Sequence, residues 1–407
     1  MLSKQTIEII RSTVPVLEIH GTEITTRFYA RLFENTPELL NVFNHSNQQE
    51  GRQQTALANA VYAAAVHIDR LNDIMPTVKQ IAQKHRGIGV KPEHYPIVGE
   101  NLLAAMSEVL GDAATPEILQ AWSEAYGEIA GAFISVEQQM YEEVAIKPGG
   151  WIGYRRFIVD KKVVESDVIT SFYLRPEDGS AIVSYEPGQY LTFSIHIPGE
   201  KYAHVRHYSL SDVPNPKHYR ISVKREDTIP NQPPGKVSTY LHAHVNEGDV
   251  LEVSAPAGDF ILSDTDTIRP LVFLSGGVGM TPILSMLKSA LHNNATRDIT
   301  YIHAAINGDV HAFKEEVETL AKSHPNLTYK VVYETPTEND QVQRKFDKSG
   351  FIDLPWLQSV LSGPEADFYF CGPAPFMHAM NRCLRDFGVA EQDIHYEVFG
   401  PQLSFTA

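Results

Sequence analysis

The sequence predicts a multidomain fold of three successive parts: an all-α segment, an antiparallel β-barrel, and an α/β segment built on a parallel sheet. Three observations carry this. Up to about residue 148, apolar residues recur at three-to-four spacing, with glycine and proline between segments. From 151 to 265, short β-branched and aromatic runs alternate with turn residues. From 266 to 407, strand-like and helix-like stretches alternate, which implies parallel strands with helices on both faces.

In the first part, expected as a domain over 1–147, one alanine-rich helix runs from about Gln53 to Ile68. Another starts near Pro76 and ends at Gly87 and Gly89. A long one opens at Thr115-Pro116, a threonine cap followed by proline at the first helical position, and continues to about Val144. Lys147-Pro148-Gly149-Gly150 reads as a linker. The second domain, 151–265, contains VITSFYL, YLTFSIHI, RHYSLS, YRISVKRE and VLEVSA as strands. The third, 266–407, runs PLVFLS, TPILSMLKSAL, DITYIHAAI, FKEEVETLAKS, TYKVVYET, ADFYFCGP and PFMHAMNRCLRDFG, alternately strand and helix.

The chain carries 34 Lys and Arg against 50 Asp and Glu, a formal net charge of −16. Such acidity disfavours nucleic acid and anionic lipid as partners. Cys371 and Cys383 form no C-x-x-C pair, which argues against a disulfide framework or structural zinc. No run approaches the ~20 apolar residues of a spanning helix. MLSKQTIEII lacks the apolar run of a signal peptide. A cytoplasmic location is expected.

His85 lies on VKQIAQKHRG and shares an apolar face with Ile81. A lone histidine there is usually a satisfied core residue, but two other rows point toward it. Gln53, Leu57 and Val61 recur every four residues on one helix face, placing one polar group at the end of an apolar stripe. A distal gas pocket needs that combination. Ile129, Phe133, Glu137 and Tyr141 are also spaced by four, and a carboxylate in such a row is costly unless it is paired. An imidazole N–H is a fitting partner, as in support of a metal-bound histidine; a helix edge turned to solvent is the alternative.

Tyr29, Phe43, Gln53, Leu57, Lys84, His85, Tyr95 and Glu137 resemble, in order and spacing, the pattern of the bacterial flavohaemoglobins. The resemblance extends over nearly the whole chain. It implies a globin with haem b in the first part, with His85 as proximal ligand and Tyr29 and Gln53 on the distal side. Tyr95 and Glu137 then form a hydrogen-bonded set with the imidazole. A carboxylate holding the imidazole N–H sends more electron density to iron, which favours O–O activation over reversible storage.

Two further constellations belong to the reductase part. Pro187-Gly188-Gln189-Tyr190 comes first. Arg206-His207-Tyr208-Ser209 follows, between predicted strands, and then Gly235-Lys236-Val237-Ser238. Together they resemble the FAD domain of the ferredoxin–NADP reductases. An aromatic ring there can stack on the isoalloxazine and Arg206 can neutralise pyrophosphate; the resemblance implies that Ser238 and its backbone hold phosphate. Gly276-Gly277-Val278-Gly279-Met280-Thr281 follows a strand and opens a helix, bringing backbone and helix N-terminus to phosphate. Cys371-Gly372-Pro373 ends another strand, and two such loops can share one crevice. Both look like the pyridine-nucleotide half of that reductase family. In the tail Glu397-Val398-Phe399-Gly400-Pro401, the resemblance implies that Phe399 covers the flavin and Glu397 lies near the flavin–haem route. His242 and His244 fall on a predicted helix and point to different sides, which argues against a metal site.

The reaction this resemblance implies is nitric oxide dioxygenation: NO and O2 give nitrate, with electrons from NAD(P)H through FAD to haem. NO, O2 and NAD(P)H are the small-molecule partners, and no obligatory protein partner is expected. The residues leave open a ferric or peroxide reductase on the same scaffold, a haem O2 sensor or store, and a haem-free interaction module. They also leave open NADH against NADPH, oligomeric state, and a lipid in the distal pocket.

Overall fold

The structure is a computed structural model that describes residues 2–228, 233–263, 269–293 and 296–400. Seven α-helices come first: α1 Lys4–Ser12, α2 Val14–Asn35, α3 His45–Gln49, α4 Arg52–Val66, α5 Met75–Ile88, α6 His94–Leu110 and α7 Pro116–Ala145. The local chemistry matches the sequence signals. Thr115 caps α7 by accepting from the Ile118 N–H, and Pro116 occupies the first turn. Of the two glycines expected to end α5, Gly87 stays inside the helix. Gly89, at φ +80°, closes it, because only a residue without Cβ enters that conformation cheaply. The helices bury Ile24, Phe28, Leu32, Leu102, Met106 and Trp122 against one another.

The second part holds β1 Tyr154–Val164, β2 Ile169–Pro176, β3 Tyr190–Ile195, β4 His204–Ser209, β5 Tyr219–Lys224, α8 Lys236–His244 and β6 Val250–Ser254. β1 was not among the predicted strands; its RRFIVDKK core mixes charge into the apolar alternation. The sheet order is β4-β3-β6-β1-β2-β5. An antiparallel bridge between Leu210 and Ile221 joins the chain just past β4 to β5, closing the barrel as expected. The RHYSLS run expected as a strand supplies R-H-Y-S as the end of β4, so these four residues lie within a strand and not between two. α8 confirms the helix over the two histidines. His242 is held by the Val223 carbonyl at 2.8 Å and the Thr170 hydroxyl at 3.3 Å.

The third part holds β7 Leu271–Gly276, α9 Met280–Asn293, β8 Ile299–Ala305, α10 Lys314–Ser323, β9 Leu327–Tyr333, α11 Glu338–Gln343, β10 Lys348–Ser349, α12 Leu354–Val360, β11 Asp367–Gly372, α13 Ala374–Phe387 and β12 Ile394–Val398. All strands are parallel, in the order β10-β9-β8-β7-β11-β12. The order reverses between β7 and β11, which is where an open α/β sheet forms its ligand crevice. Two apolar layers cover it, one around Phe273, Ile283 and Tyr301, the other around Leu274, Phe370 and Met380.

By packing, the chain forms two compact units. One comprises residues 1–155 with 192–206 and 252–257; the other comprises 156–191, 207–251 and 258–407. The domain limits read from sequence follow secondary structure, and packing groups Thr192–Arg206 and Glu252–Ala257 with the helices. Among the described residues no helix is long and apolar enough to cross a membrane.

Two histidines of the third part, His303 and His311, are buried at 1% and 4% exposure. Burial pushes the His303 imidazole down to about 3 and that of His311 well below its usual value. The folded chain therefore refuses protons that the unfolded chain accepts below its ordinary value near 6.5. Stability is fully present above pH ~6.5 and is lost as pH falls toward 3, by about 1.4 kcal/mol per pH unit for each such proton. Hydrogen-exchange protection of the β8 amides, corrected for intrinsic rates, should weaken across that window in the wild type and weaken less in His303→Phe.

Candidate functional site

α5, α6 and α7 bring three polar side chains together. The Glu137 carboxyl is 3% exposed and accepts two hydrogen bonds on Oε1: from His85 Nδ1 at 2.7 Å and from the Tyr95 hydroxyl at 2.6 Å. Tyr95 lies 3.3 Å from the same ring nitrogen. A carboxylate only accepts, so the imidazole proton sits on Nδ1 and Nε2 carries the lone pair that can bind a metal. Burial, then the neighbouring Glu137, push the Tyr95 hydroxyl up, so it serves as a donor.

The i, i+4 row on α7 does what its spacing implied. Phe133 lies 5.7 Å from the His85 ring, Glu137 takes the proton, and the Tyr141 hydroxyl donates to the Val90 carbonyl at 2.9 Å just past α5. Tyr95 is fixed from behind by the Tyr126 hydroxyl, which donates to its carbonyl at 2.6 Å. Gly99 makes room for that ring: a Cβ there would lie 2.5 Å from it.

Tyr29 on α2 is 5% exposed and is walled by Phe28, Phe33 and Phe43, with ring centroids 4.7–5.9 Å away. Leu57 and Val61 of α4 pack against the same core. Burial raises the Tyr29 hydroxyl well above its usual range, while the nearby Gln53 and Gln48 amides oppose that shift. Gln48 escaped the sequence reading. It lies on the short helix α3, capped by Asn44, where five residues show no periodicity. Lys84 is half-buried beside His85 on α5.

Among the described residues no group of three or more His, Cys, Asp or Glu is arranged to hold a metal ion. One imidazole with Nδ1 committed to Glu137 and its ring beside Phe133 leaves Nε2 for an iron whose other ligands come from a macrocycle, as in haem.

In the barrel, the rings of Tyr190 of β3 and His207 of β4 touch at a tilt of 51°, with centroids 4.8 Å apart. Tyr208 is half-buried and Ser209 is buried. The P-G-Q-Y motif is explained by chain crossing. Gly188, at φ +107°, passes so close to the Phe260 carbonyl that a Cβ would sit 2.2 Å from its oxygen, and Gln189 donates to the Gly258 carbonyl at 3.1 Å. Arg206 donates to the Val205 carbonyl at 2.8 Å and to the Ser46 hydroxyl at 2.9 Å. Val237 is a core side chain. The Ser238 hydroxyl accepts from the Glu226 N–H at 3.1 Å and donates to the Gly235 carbonyl at 3.2 Å. The hydroxyl thus ties the turn together. The groups suited to a phosphate are the first-turn N–H donors of α8, which lack a side-chain cap.

At the switch point, the loops after β7 and β11 lie against each other. A Cβ on Gly279 would lie 2.2 Å from the Cys371 carbonyl oxygen, and one on Gly276 or Gly372 would meet the Phe376 ring at 2.9 or 2.5 Å. Only Gly277, at φ +51°, borders open space. The sequence reading gave all three loop glycines one reason, close approach to phosphate. The structure adds a second reason at Gly276 and Gly279, on which α13 and β11 press, while Gly277 alone of the three needs its positive φ. Met280 and Thr281 are buried, and Val278 packs against the same core, so these three offer backbone only.

Cys371 is fully buried, with burial first and Glu397 second holding its thiol well above the usual range, so it is not a thiolate. Glu397 and Val398 pair with Cys371 and Gly372 across β12. Pro373 caps α13. Phe399 is 44% exposed. Gly400 adopts φ +151°, and Pro401 lies outside the described residues.

Two outcomes follow. Gly279→Ala should force the two loops apart, lowering the melting temperature at a cost of about 1–3 kcal/mol and slowing NADH reduction of the flavin, with both cofactors retained. Stopped flow beside a thermal melt checks this, and an unchanged melting temperature would return Gly279 to the phosphate. Glu137→Gln should keep haem but lower the Fe–His stretching frequency in resonance Raman, because an amide is a weaker acceptor for the His85 N–H. No shift would reduce Glu137 to packing.

Known proteins match in the same three-part order. Residues 26–133 match the globin family, 156–261 the oxidoreductase FAD-binding domain and 273–382 the oxidoreductase NAD-binding domain. A flavohemoprotein of Bacillus thuringiensis is 57% identical over 404 residues, covering 99% of this chain and 100% of its own. One of Bacillus subtilis is 51% identical and covers 99% of each chain. The crystal structure of a flavohemoglobin from Malassezia yamatoensis with bound FAD and haem is similar with a TM-score of 0.83, at 28% identity, over 98% of this chain and 100% of that one. The FAD/NAD-binding domain of nitric oxide dioxygenase from Vibrio cholerae covers 61% of this chain and 100% of its own, at 38% identity and a TM-score of 0.56. This chain therefore joins a globin to an FAD- and NAD-binding oxidoreductase, works with haem, FAD and NAD(P)H, and belongs to the flavohaemoprotein family.

Proposed function

We propose that the chain is a nitric oxide dioxygenase: two NO, two O2 and one NAD(P)H give two nitrate, NAD(P)+ and one proton. The observation that carries this reading is the buried Glu137 carboxyl bound to both His85 and Tyr95. When bound, haem supplies an iron that binds diatomic gases and takes single electrons, and FAD splits the electron pair of a hydride. The protein's part is to bias that iron. Glu137 makes the imidazole a stronger donor, which suits oxygen activation better than storage. Tyr29 offers a hydroxyl among Phe28, Phe33 and Phe43 with Gln53 and Gln48 beside it, and Leu57, packed against the same core, would keep water out. The name of the Vibrio cholerae relative adds support from the reductase half.

On this reading Tyr190 and the Arg206–Ser209 strand end face the flavin, with Arg206 toward its pyrophosphate, and the α8 N-terminus takes phosphate. The Gly276–Thr281 and Cys371–Pro373 loops take the nicotinamide nucleotide. Phe399 covers the flavin ring, and Glu397 serves the electron route. The two free cysteines suit a reducing compartment, the cytoplasm.

NADH consumption under air should accelerate on adding NO, with nitrate as the product. NADH turnover indifferent to NO would favour the ferric or peroxide reductase instead. Tyr29→Phe tests the distal assignment. Dioxygen in the pocket gains negative charge and carbon monoxide far less. A hydrogen bond to a charged acceptor contributes about 1.5–3 kcal/mol, so O2 binding should weaken by roughly 10- to 150-fold. Gln53 and Gln48 beside the hydroxyl pull the effect toward the low end. Equal changes in O2 and CO dissociation would remove Tyr29 from the mechanism.

A further inference from the structure

Two hydrogen-bonded groups of polar side chains, joined by one imidazole–imidazole contact, run through the apolar layer under α9, and neither haem nor flavin accounts for them. Ser275 Oγ lies 2.7 Å from His303 Nδ1 and 2.9 Å from the Tyr301 hydroxyl. The His303 ring lies 4.4 Å from that of His311. His311 Nδ1 lies 2.9 Å from the Tyr333 hydroxyl, and its Nε2 lies 3.0 Å from the Tyr329 hydroxyl. Lys314 Nζ donates to the Tyr333 oxygen at 3.1 Å. The ammonium can only donate, so the Tyr333 proton goes to His311 Nδ1, and His311 donates from Nε2 to Tyr329. Ser275, Tyr301, His303 and Tyr333 are each at most 1% exposed.

Buried polar groups of this kind cost stability unless all are satisfied, and a satisfied network is rigid. The two ends of this one are informative. Ser275 is the residue before Gly276, where the loop leaves β7. His311 closes the loop that leaves β8, whose other anchor is the Asp340 carboxylate accepting from the Gly308 N–H at 3.0 Å. In a doubly wound sheet the loop after the first strand meets the pyrophosphate, and the end of the second reads the adenosine ribose. The Cys371 carbonyl limits the first loop from the other side.

We infer that His303 and His311 are positioning residues for NAD(P)H: through Ser275 they lock the loop after β7 at a fixed spacing from the loop after β8. The inference rests on the assignment of these loops to the nicotinamide nucleotide. Neither imidazole touches the nucleotide. Their effect should appear in its affinity and not in the hydride step.

The test uses the full-length enzyme loaded with haem and FAD. His303→Phe keeps a ring and removes the bond to Ser275. The expected result is a roughly 5- to 10-fold higher KM for NADH, the scale of one hydrogen bond, with flavin reduction at saturating NADH changed by less than about twofold. Ser275→Ala should reproduce it. The double variant should be no worse than either single, since both remove the same link. His303→Gln, which can still bond Ser275, should recover most of the affinity. A lowered melting temperature with unchanged KM overturns the inference, as do additive effects of the two substitutions. A wild type whose flavin NADH does not reduce overturns the nucleotide assignment itself, and the inference with it.

Discussion

One carboxyl group organises the helical unit. Glu137 has almost no contact with solvent, and an unpaired carboxylate there would cost several kcal/mol. It is affordable only because His85 and Tyr95 arrive together from two other helices. That requirement fixes much else. α5 must present His85 toward α7, so its end is held by Tyr141 and its exit by Gly89. α6 must hold Tyr95 at hydrogen-bond distance, so Tyr126 grips its carbonyl over Gly99. The same bond that satisfies the buried carboxyl selects the His85 tautomer that, on the proposed reading, leaves Nε2 for iron. Stability and reactivity are therefore set by one contact, and they cannot be adjusted separately at this position.

On the proposed reading, the reductase sites follow a different logic, in which backbone rather than side chain meets the ligand. Val237, Met280 and Thr281 are core residues, and the Ser238 hydroxyl is spent on its own turn. What remains are helix N-termini and a single open glycine, Gly277. Backbone N–H groups cannot be repositioned by changing rotamers, so accuracy must come from packing beneath them. Phe376, the Cys371 carbonyl and the Ser275–His303 link each restrain a neighbouring point of the loop.

The legible and illegible parts of the molecule divide along this line. Spacing of four on α7 exposed Phe133, Glu137 and Tyr141 as one face, and the Thr115-Pro116 cap located its start. Alternation of strand and helix disclosed the parallel sheet, and proline and glycine punctuation disclosed the barrel. These are local or periodic signals that a sequence carries directly. Gln48 has neither, because α3 is too short to repeat. β1 was hidden by charges on its solvent face. The packing that Gly276 and Gly279 permit involves residues about 90 positions away on β11 and α13. A glycine kept for distant packing reads in sequence the same as one kept for a ligand.

That ambiguity bears on how such loops function. If all three glycines served only to admit phosphate, the loop would be an open, pliant turn that the nucleotide itself must order. The observed contacts instead clamp two of the three from β11 and α13, and anchor the preceding serine from β8. The entropy of ordering the turn has then been met during folding, and less binding energy is spent on it when the nucleotide arrives. The arrangement carries its own cost in buried imidazoles that must stay uncharged. The third part of the chain thus trades acid tolerance for a preformed site, as the helical unit ties a buried carboxylate to the donor strength of its histidine.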